Sequence, residues 1–302
     1  MAATPLSTSA WRTRARQLLS PDFVTPAVML IPSLALISLV IAFPVAKGLW
    51  FSLTDGSLLR PGHFVGLENY IDLLGDKNFW NAVRFSTIFA ICNIIGCYGL
   101  GLGLALLMQQ DMPCRGLFRV LLLMPWIVPS LVAIVSWRWM VADEKALFNQ
   151  IIALFGGSPV YFLSDSTWAV VVVIAIKIWR SFPFMMLSLL AALQTIDRSL
   201  YEAAEIDGAT PWQAFCHVTM PAIRNISIVL CLLMTIWTVN DFDTPWLLAQ
   251  GGPAGATENL VVLAYRETFA RNDLGMGAAV SFVTLLVLMA LFTFVLRLQK
   301  ED

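Results

Sequence analysis

The feature that most constrains this chain is a set of six long apolar stretches: Pro26 to Ala46, Val83 to Met108, Phe118 to Val141, Trp168 to Leu193, Ile223 to Leu248 and Met276 to Leu296. A bilayer core about 30 Å thick takes roughly 20 consecutive apolar residues per helix, whereas strands of globular proteins usually end after about 3–10 residues. The spacing therefore predicts six transmembrane helices and an all-α integral membrane protein. Composition agrees, because only 13% of the residues are charged where soluble domains carry about 25%. The first stretch follows a basic tail, as a signal peptide would. It exceeds the usual apolar length of about 7–15 residues and is not followed by an Ala-x-Ala site, so it is read as a retained helix.

Several functional classes are set aside by what is missing from the sequence. A net charge of −1 gives no basic footprint for nucleic acid, so no nucleic-acid partner is expected. Cys92, Cys97, Cys114, Cys216 and Cys231 form no CxxC pair, which argues against a disulfide framework or a zinc site. His63 and His217 are too separated to build a metal centre or a catalytic dyad. Neither a catalytic residue nor a metal ligand is expected on this chain.

Lys and Arg concentrate in short cytoplasmic segments of membrane proteins. Arg12, Arg14 and Arg16 in the tail, Arg115 and Arg119 in the link from Gln109 to Arg119, and Arg297 with Lys300 at the end place those segments together on the cytoplasmic side. The link from Gly48 to Ala82 sets Arg60 and Lys77 against Asp55, Glu68, Asp72 and Asp76 and belongs outside. The chain thus divides into a basic cytoplasmic tail, 1–25, and a six-helix membrane domain, 26–300, with both termini cytoplasmic. The link 194–224 also falls inside. Prolines at 32, 44, 125, 129, 183 and 245 interrupt the spans and suggest a cavity between broken helices. Gly96, Gly99, Gly101 and Gly103 suit close helix packing.

The 194–224 link is far longer than the about 2–8 residues that join bundled helices. Ser199 with Glu202 resembles a capping box for a short helix reaching Ile206. Gly208 permits a sharp turn, and Thr210-Pro211 starts a second short helix. Leu200, Ala203, Ala204, Trp212 and Phe215 give the pair an apolar face, while Glu202, Glu205 and Asp207 add acids. An amphipathic hairpin lying on lipid would favour Lys and Arg, so a protein groove is the expected partner.

Glu202-Ala203-Ala204, Gly208 and then Val218-x-Met220-Pro221 resemble the EAA loop of permease subunits of binding-protein-dependent ABC importers. Val218 and Met220 depart mildly from the usual aliphatic residues. Arg115-Gly-Leu-Phe-Arg119, Leu123-Met-Pro-Trp126, Trp137-Arg-Trp139, Phe182-Pro-Phe184, Gly251-Gly-Pro253 and Thr257-Glu258 resemble the sugar-importing, maltose and glycerol-phosphate branch. The resemblance implies a type I ABC importer permease fold in a bacterial inner membrane, with a cytoplasmic coupling helix around Glu202, Ala203, Ala204, Asp207 and Gly208 seated in an ATP-binding subunit. It also implies a second homologous permease, two ATP-binding subunits, a docking extracytoplasmic sugar-binding protein and a sugar substrate. The chain has no G-x-x-x-x-G-K-[ST] phosphate loop. No cofactor is expected on this chain, ATP and Mg being expected on the partner ATPase subunits.

Ionisable residues inside spans are functional candidates by default. Matched to the family, Lys177, Arg180, Ser181, Phe184, Trp237, Thr238 and Asp241 stand at sugar-contact positions. Lys177 and Arg180 share one helical face and suit an anionic sugar derivative bearing sulfonate, phosphate or carboxylate. The alternative is internal pairing with Asp241 or Asp243. A stand-alone carrier or channel is the competing function, although internal repeats typical of secondary carriers are not evident. An intramembrane protease is disfavoured, since Asp241 and Asp243 point in different directions from one helix.

Overall fold

The structure, a computed structural model, describes residues 21–300. The tail arginines Arg12, Arg14 and Arg16 and most of the 1–25 tail lie outside the described residues. The chain divides into two units, one ending at Phe51 and the other beginning at Ser52.

The first unit contains α1 (Pro21–Ile37), a π turn (Ser38–Ala42) and most of α2 (Phe43–Ser52). Pro44 has no N–H for the carbonyl of Val40, and the wide turn lies where the helical ladder is interrupted. Side chains all round this helix are apolar and exposed, among them Met29, Leu36 and Leu39. That distribution suits a lipid environment.

The second unit runs through α3 (Glu68–Gly75), α4 (Lys77–Gln109), α5 (Arg115–Ile127), α6 (Ser130–Val141), α7 (Leu147–Leu154), α8 (Ser166–Leu193), α9 (Arg198–Ile206), α10 (Pro211–Ala214), a π turn (Phe215–Thr219), α11 (Met220–Val239), α12 (Asp243–Ala249), α13 (Leu260–Tyr265), a π turn (Arg266–Ala270) and α14 (Leu274–Lys300). Its centre is the long pair α4 and α8, with α11 alongside. Cys97, Ala105, Met185, Met186 and Leu189 are sealed between these helices. Lipid tails are as apolar as leucine, so close backbone approach must supply much of the attraction. A Cβ at Gly101 would sit 2.8 Å from Cγ of Met185, and one at Gly96 would collide with Ile178. Gly99 and Gly103 face open space, so only half of the glycine run serves packing.

Two spans depart from the sequence expectation. Phe118–Val141 is not one helix, because α5 and α6 meet at 90°. Val128 is extended (ψ 131°) before Pro129, whose ring excludes its predecessor from the helical region. With 13 residues, α5 is only about 20 Å long and does not cross a bilayer alone. The fifth span likewise starts at Pro211 rather than Ile223 and stops at Val239 instead of reaching Leu248. The second short helix expected after Gly208 is therefore the first turn of that span, within the 194–224 link.

Candidate functional site: a charged break between spans and an exposed elbow

The break after Val239 brings the buried polar residues Asp241, Thr244 and Asn259 together. Asn240 caps α11 by donating its Nδ2 to the carbonyl of Ile236 at 2.9 Å. Pro245 has no N–H for the carbonyl of Asp241, and that oxygen accepts Nδ2 of Asn259 at 2.6 Å instead. A carbonyl freed inside a membrane protein must find such a partner. The Asp241 carboxylate accepts the Thr244 hydroxyl at 2.6 Å and the Thr244 N–H at 3.3 Å.

Lys177 reaches this carboxylate from α8. Its Nζ lies 2.9 Å from Oδ2 of Asp241, and the two side chains are only 10% and 8% exposed. Of the pairings left open by the sequence, the one formed is with Asp241; Asp243 accepts the Ser130 hydroxyl at 2.8 Å. Lys177 is thereby neutralised within the protein. Arg180, on the same face, makes one long contact, Nη1 to the Thr244 hydroxyl at 3.4 Å, and its Nε has no partner. Arg180 is left with spare donors.

The remaining candidates separate into an open group and a closed one. Phe184 and Trp237 bring their ring centroids to 4.9 Å, and Trp126 stands 6.1 Å from Phe184. Trp237 is 43% exposed and Ser181 half-buried. Thr238 is fully buried; it accepts Nδ2 of Asn93 at 2.8 Å and donates to the carbonyl of Met234 at 2.6 Å. Its hydroxyl thus holds α11 to α4 rather than facing open space. Asn93, Ser130, Thr244 and Asn259 were missed by a search restricted to ionisable groups in spans. A lone Asn inside the apolar stretch 83–108 was the signal for the first of them.

The acidic elbow is built differently. Asp197, not Ser199, caps α9: its Oδ1 accepts the Ser199 N–H at 2.9 Å. The Ser199 backbone and side chain hold the Asp197 carboxyl below its ordinary range, and a carboxylate beside a helix N-terminus complements the helix dipole better than a serine hydroxyl. Glu202 pairs with Arg198 at 3.6 Å and leaves the expected capping box unformed. Gly208 takes φ +75°, and the reciprocal box forms at Thr210 and Gln213 instead. Glu202, Ala203 and Asp207 are exposed and Ala204 is half-buried. Ile206 and Trp212 are 87% and 70% exposed. A hydrogen bond of 2.9 Å between the Tyr201 and Thr219 hydroxyls fastens α9 to the start of the fifth span.

The segment from Gly251 to Gly275 is more ordered than a polar loop, since α13 and its π turn lie within it. Arg266 bridges Glu258 at 3.0 Å and the carbonyl of Gln250 at 2.9 Å, and Arg271 holds Glu267 at 2.6 Å. Burial pushes both glutamates above the usual carboxylate range, with the arginines opposing the shift.

The family of binding-protein-dependent transport system inner membrane components matches residues 98–300, a region that includes the whole elbow. The chain belongs to this family. This inner-membrane component is 35% identical over 269 residues to the trehalose/maltose transport system permease protein MalF of Thermococcus litoralis, covering 89% of this chain and 90% of that one. It is 32% identical over 281 residues to the sulfoquinovosyl glycerol transport system permease protein SmoG of Agrobacterium fabrum, covering 92% and 91%. Among solved structures, a chain of a bacterial ABC transporter that imports the acidic polysaccharide alginate superposes with a TM-score of 0.81 at 19% identity, over 97% of this chain and 99% of that one. The permease fold expected from the resemblance is therefore the one found, and the component is a multi-pass inner-membrane protein.

Proposed function

We propose that this component is a permease subunit of an ATP-driven importer that moves a sugar or an anionic sugar derivative from an extracytoplasmic binding protein into a bacterial cytoplasm. The elbow carries the reading. It exposes Leu200, Ile206 and Trp212 beside Glu202 and Asp207, and is fastened to the fifth span through Tyr201 and Thr219. Apolar side chains of this size clustered at an exposed surface mark an interaction site. The EAA match supports the cleft of an ATP-binding subunit as the partner, with Glu202, Ala203, Ala204, Asp207 and Gly208 at the contact. ATP and Mg would be held by two such subunits, and this chain would pair with a second, homologous permease. Both termini and the elbow would face the cytoplasm, and the segment 251–275 would face the binding protein.

The carbohydrate names of the relatives support a sugar cargo, and the alginate importer supports an acidic one. Phe184 and Trp237 would offer apolar faces to a sugar ring, and Ser181 a hydroxyl. Lys177 is engaged by Asp241, so an anionic group would fall to Arg180, whose guanidinium can pair two donors with an oxyanion. Lys177, Thr238 and Asp241 would then shape the wall behind.

The test is uptake by vesicles reconstituted with the second permease, the ATPase subunits and the binding protein. Trp212→Asp is expected to abolish binding-protein-stimulated ATP hydrolysis while leaving insertion intact. Arg180→Gln is expected to lower uptake of a uronic acid or sulfonated sugar more than that of a neutral one. Uptake by vesicles lacking the ATPase subunits would instead identify a secondary carrier.

A further inference from the structure

A groove of about 420 Å³ opens between the beginnings of α4 and α8, roofed by residues 254–256. Its character changes along its length. Asn81 and Arg84 on α4 and Ser166 and Thr167 on α8 line one end, and Ile88 and Val171 line the other. Residues 81, 84 and 88 recur at helical spacing, and Ile91 and Ile95, 52% and 67% exposed, extend the same face of α4. One stripe of the helix is thus polar over its first turns and apolar beyond, as a face crossing from headgroups into hydrocarbon must be.

Arg84 is exposed, and among the described residues no carboxylate approaches it within ion-pairing distance. Asp165, the acid at the start of α8, turns its Oδ1 onto the N–H groups of Thr167 and Trp168, both at 2.9 Å. That leaves the groove with one uncompensated guanidinium, two hydroxyls and an amide set above an apolar cleft. Arg binds phosphate oxygens through paired donors, and a polar end set above an apolar cleft matches a headgroup above its acyl chain.

We propose that this groove holds one anionic glycerophospholipid, its phosphodiester on Arg84 and the hydroxyls of Ser166 and Thr167, and an acyl chain between Ile88 and Val171. A free phosphate would use only the polar end. An apolar partner helix would cover Arg84 without neutralising it. A lipid satisfies both ends together, and the site is independent of the cargo and of the ATPase contact.

Native mass spectrometry of the full chain, released from nanodiscs of about four parts phosphatidylcholine to one part phosphatidylglycerol, tests this. The wild type is expected to retain phosphatidylglycerol, and Arg84→Ala to retain about five- to tenfold less, the order expected for one interfacial charge. Ile88→Trp, which fills the cleft and leaves the cation, is expected to lose the lipid too. Unchanged elution and span insertion would establish that both variants fold. Equal retention by wild type and Arg84→Ala, equal retention of phosphatidylcholine, or displacement of the lipid by millimolar inorganic phosphate would overturn the proposal. So would crosslinking of Ser166→Cys to a partner polypeptide in the assembled transporter.

Discussion

Two clusters of charge on this molecule solve opposite problems. At the break after Val239, Lys177 and Asp241 are almost wholly enclosed, 2.9 Å apart, and the carboxylate also accepts the Thr244 hydroxyl and N–H. At the elbow, Arg198 and Glu202 are 92% and 66% exposed at 3.6 Å, and the apolar side chains beside them have no cover among the described residues. The Lys177–Asp241 pair is matched within one polypeptide, beside the break in the helix. The second cluster leaves Leu200, Ile206 and Trp212 exposed beside its acids. Charge that is enclosed must be matched internally, whereas charge in water is free to be matched by a partner.

The contrast can be broken most severely at Asp241. Asp241→Asn leaves Lys177 enclosed without its counter-ion and is expected to cost about 3–5 kcal/mol of stability, read as a lowered unfolding midpoint in detergent. The double variant Lys177→Met/Asp241→Leu is expected to recover most of that loss. If the single variant is as stable as the wild type, the pair is not a fixed element of the fold.

At the elbow, Gly208→Val should act on transport more than on folding of the spans. A β-branched residue at φ +75° is strained by about 1–2 kcal/mol, and the elbow should lose its shape. Uptake by the reconstituted importer is expected to fall at least about tenfold, with ATP hydrolysis no longer responding to the binding protein. Unchanged coupling would remove the elbow from the mechanism.

A smaller effect concerns Glu258. Burial raises its pKa in the folded chain above the unfolded value, so the folded state binds the proton more tightly. Stability from this group is fully present below the unfolded carboxylate pKa and is lost as pH rises through the folded value. The unfolding midpoint of the wild type should therefore fall more between about pH 4.3 and neutrality than that of Glu258→Gln. Identical pH profiles would mean that water reaches this carboxylate freely.

The smallest effect is expected from Arg198→Ala, since exposed pairs at this spacing contribute little. No shift in the unfolding midpoint should be measurable. A clear loss would mean that α9 depends on the pair for its helix as well as for its surface.

The sequence alone specified the class of molecule, because apolar runs such as 168–193 are long enough to span a bilayer and leave few alternatives. It also located the elbow, since Gly208 and Thr210-Pro211 encode local geometry that needs no distant partner. The cap of α9 was misjudged by two residues because Asp197 and Ser199 both suit the role and only the folded turn decides between them. Hydropathy smoothed over the breaks at Val128–Pro129 and Asn240–Phe242, where one or two backbone angles matter more than composition. The identity of the partner of Lys177, and the release of Arg180 from any such partner, depend on how α8 meets the start of α12, and residues from 64 positions apart are brought together there. A linear sequence fixes which charges exist. Packing decides which of them are matched, because pairing falls off within a few ångströms and those distances are set only when the helices are in place.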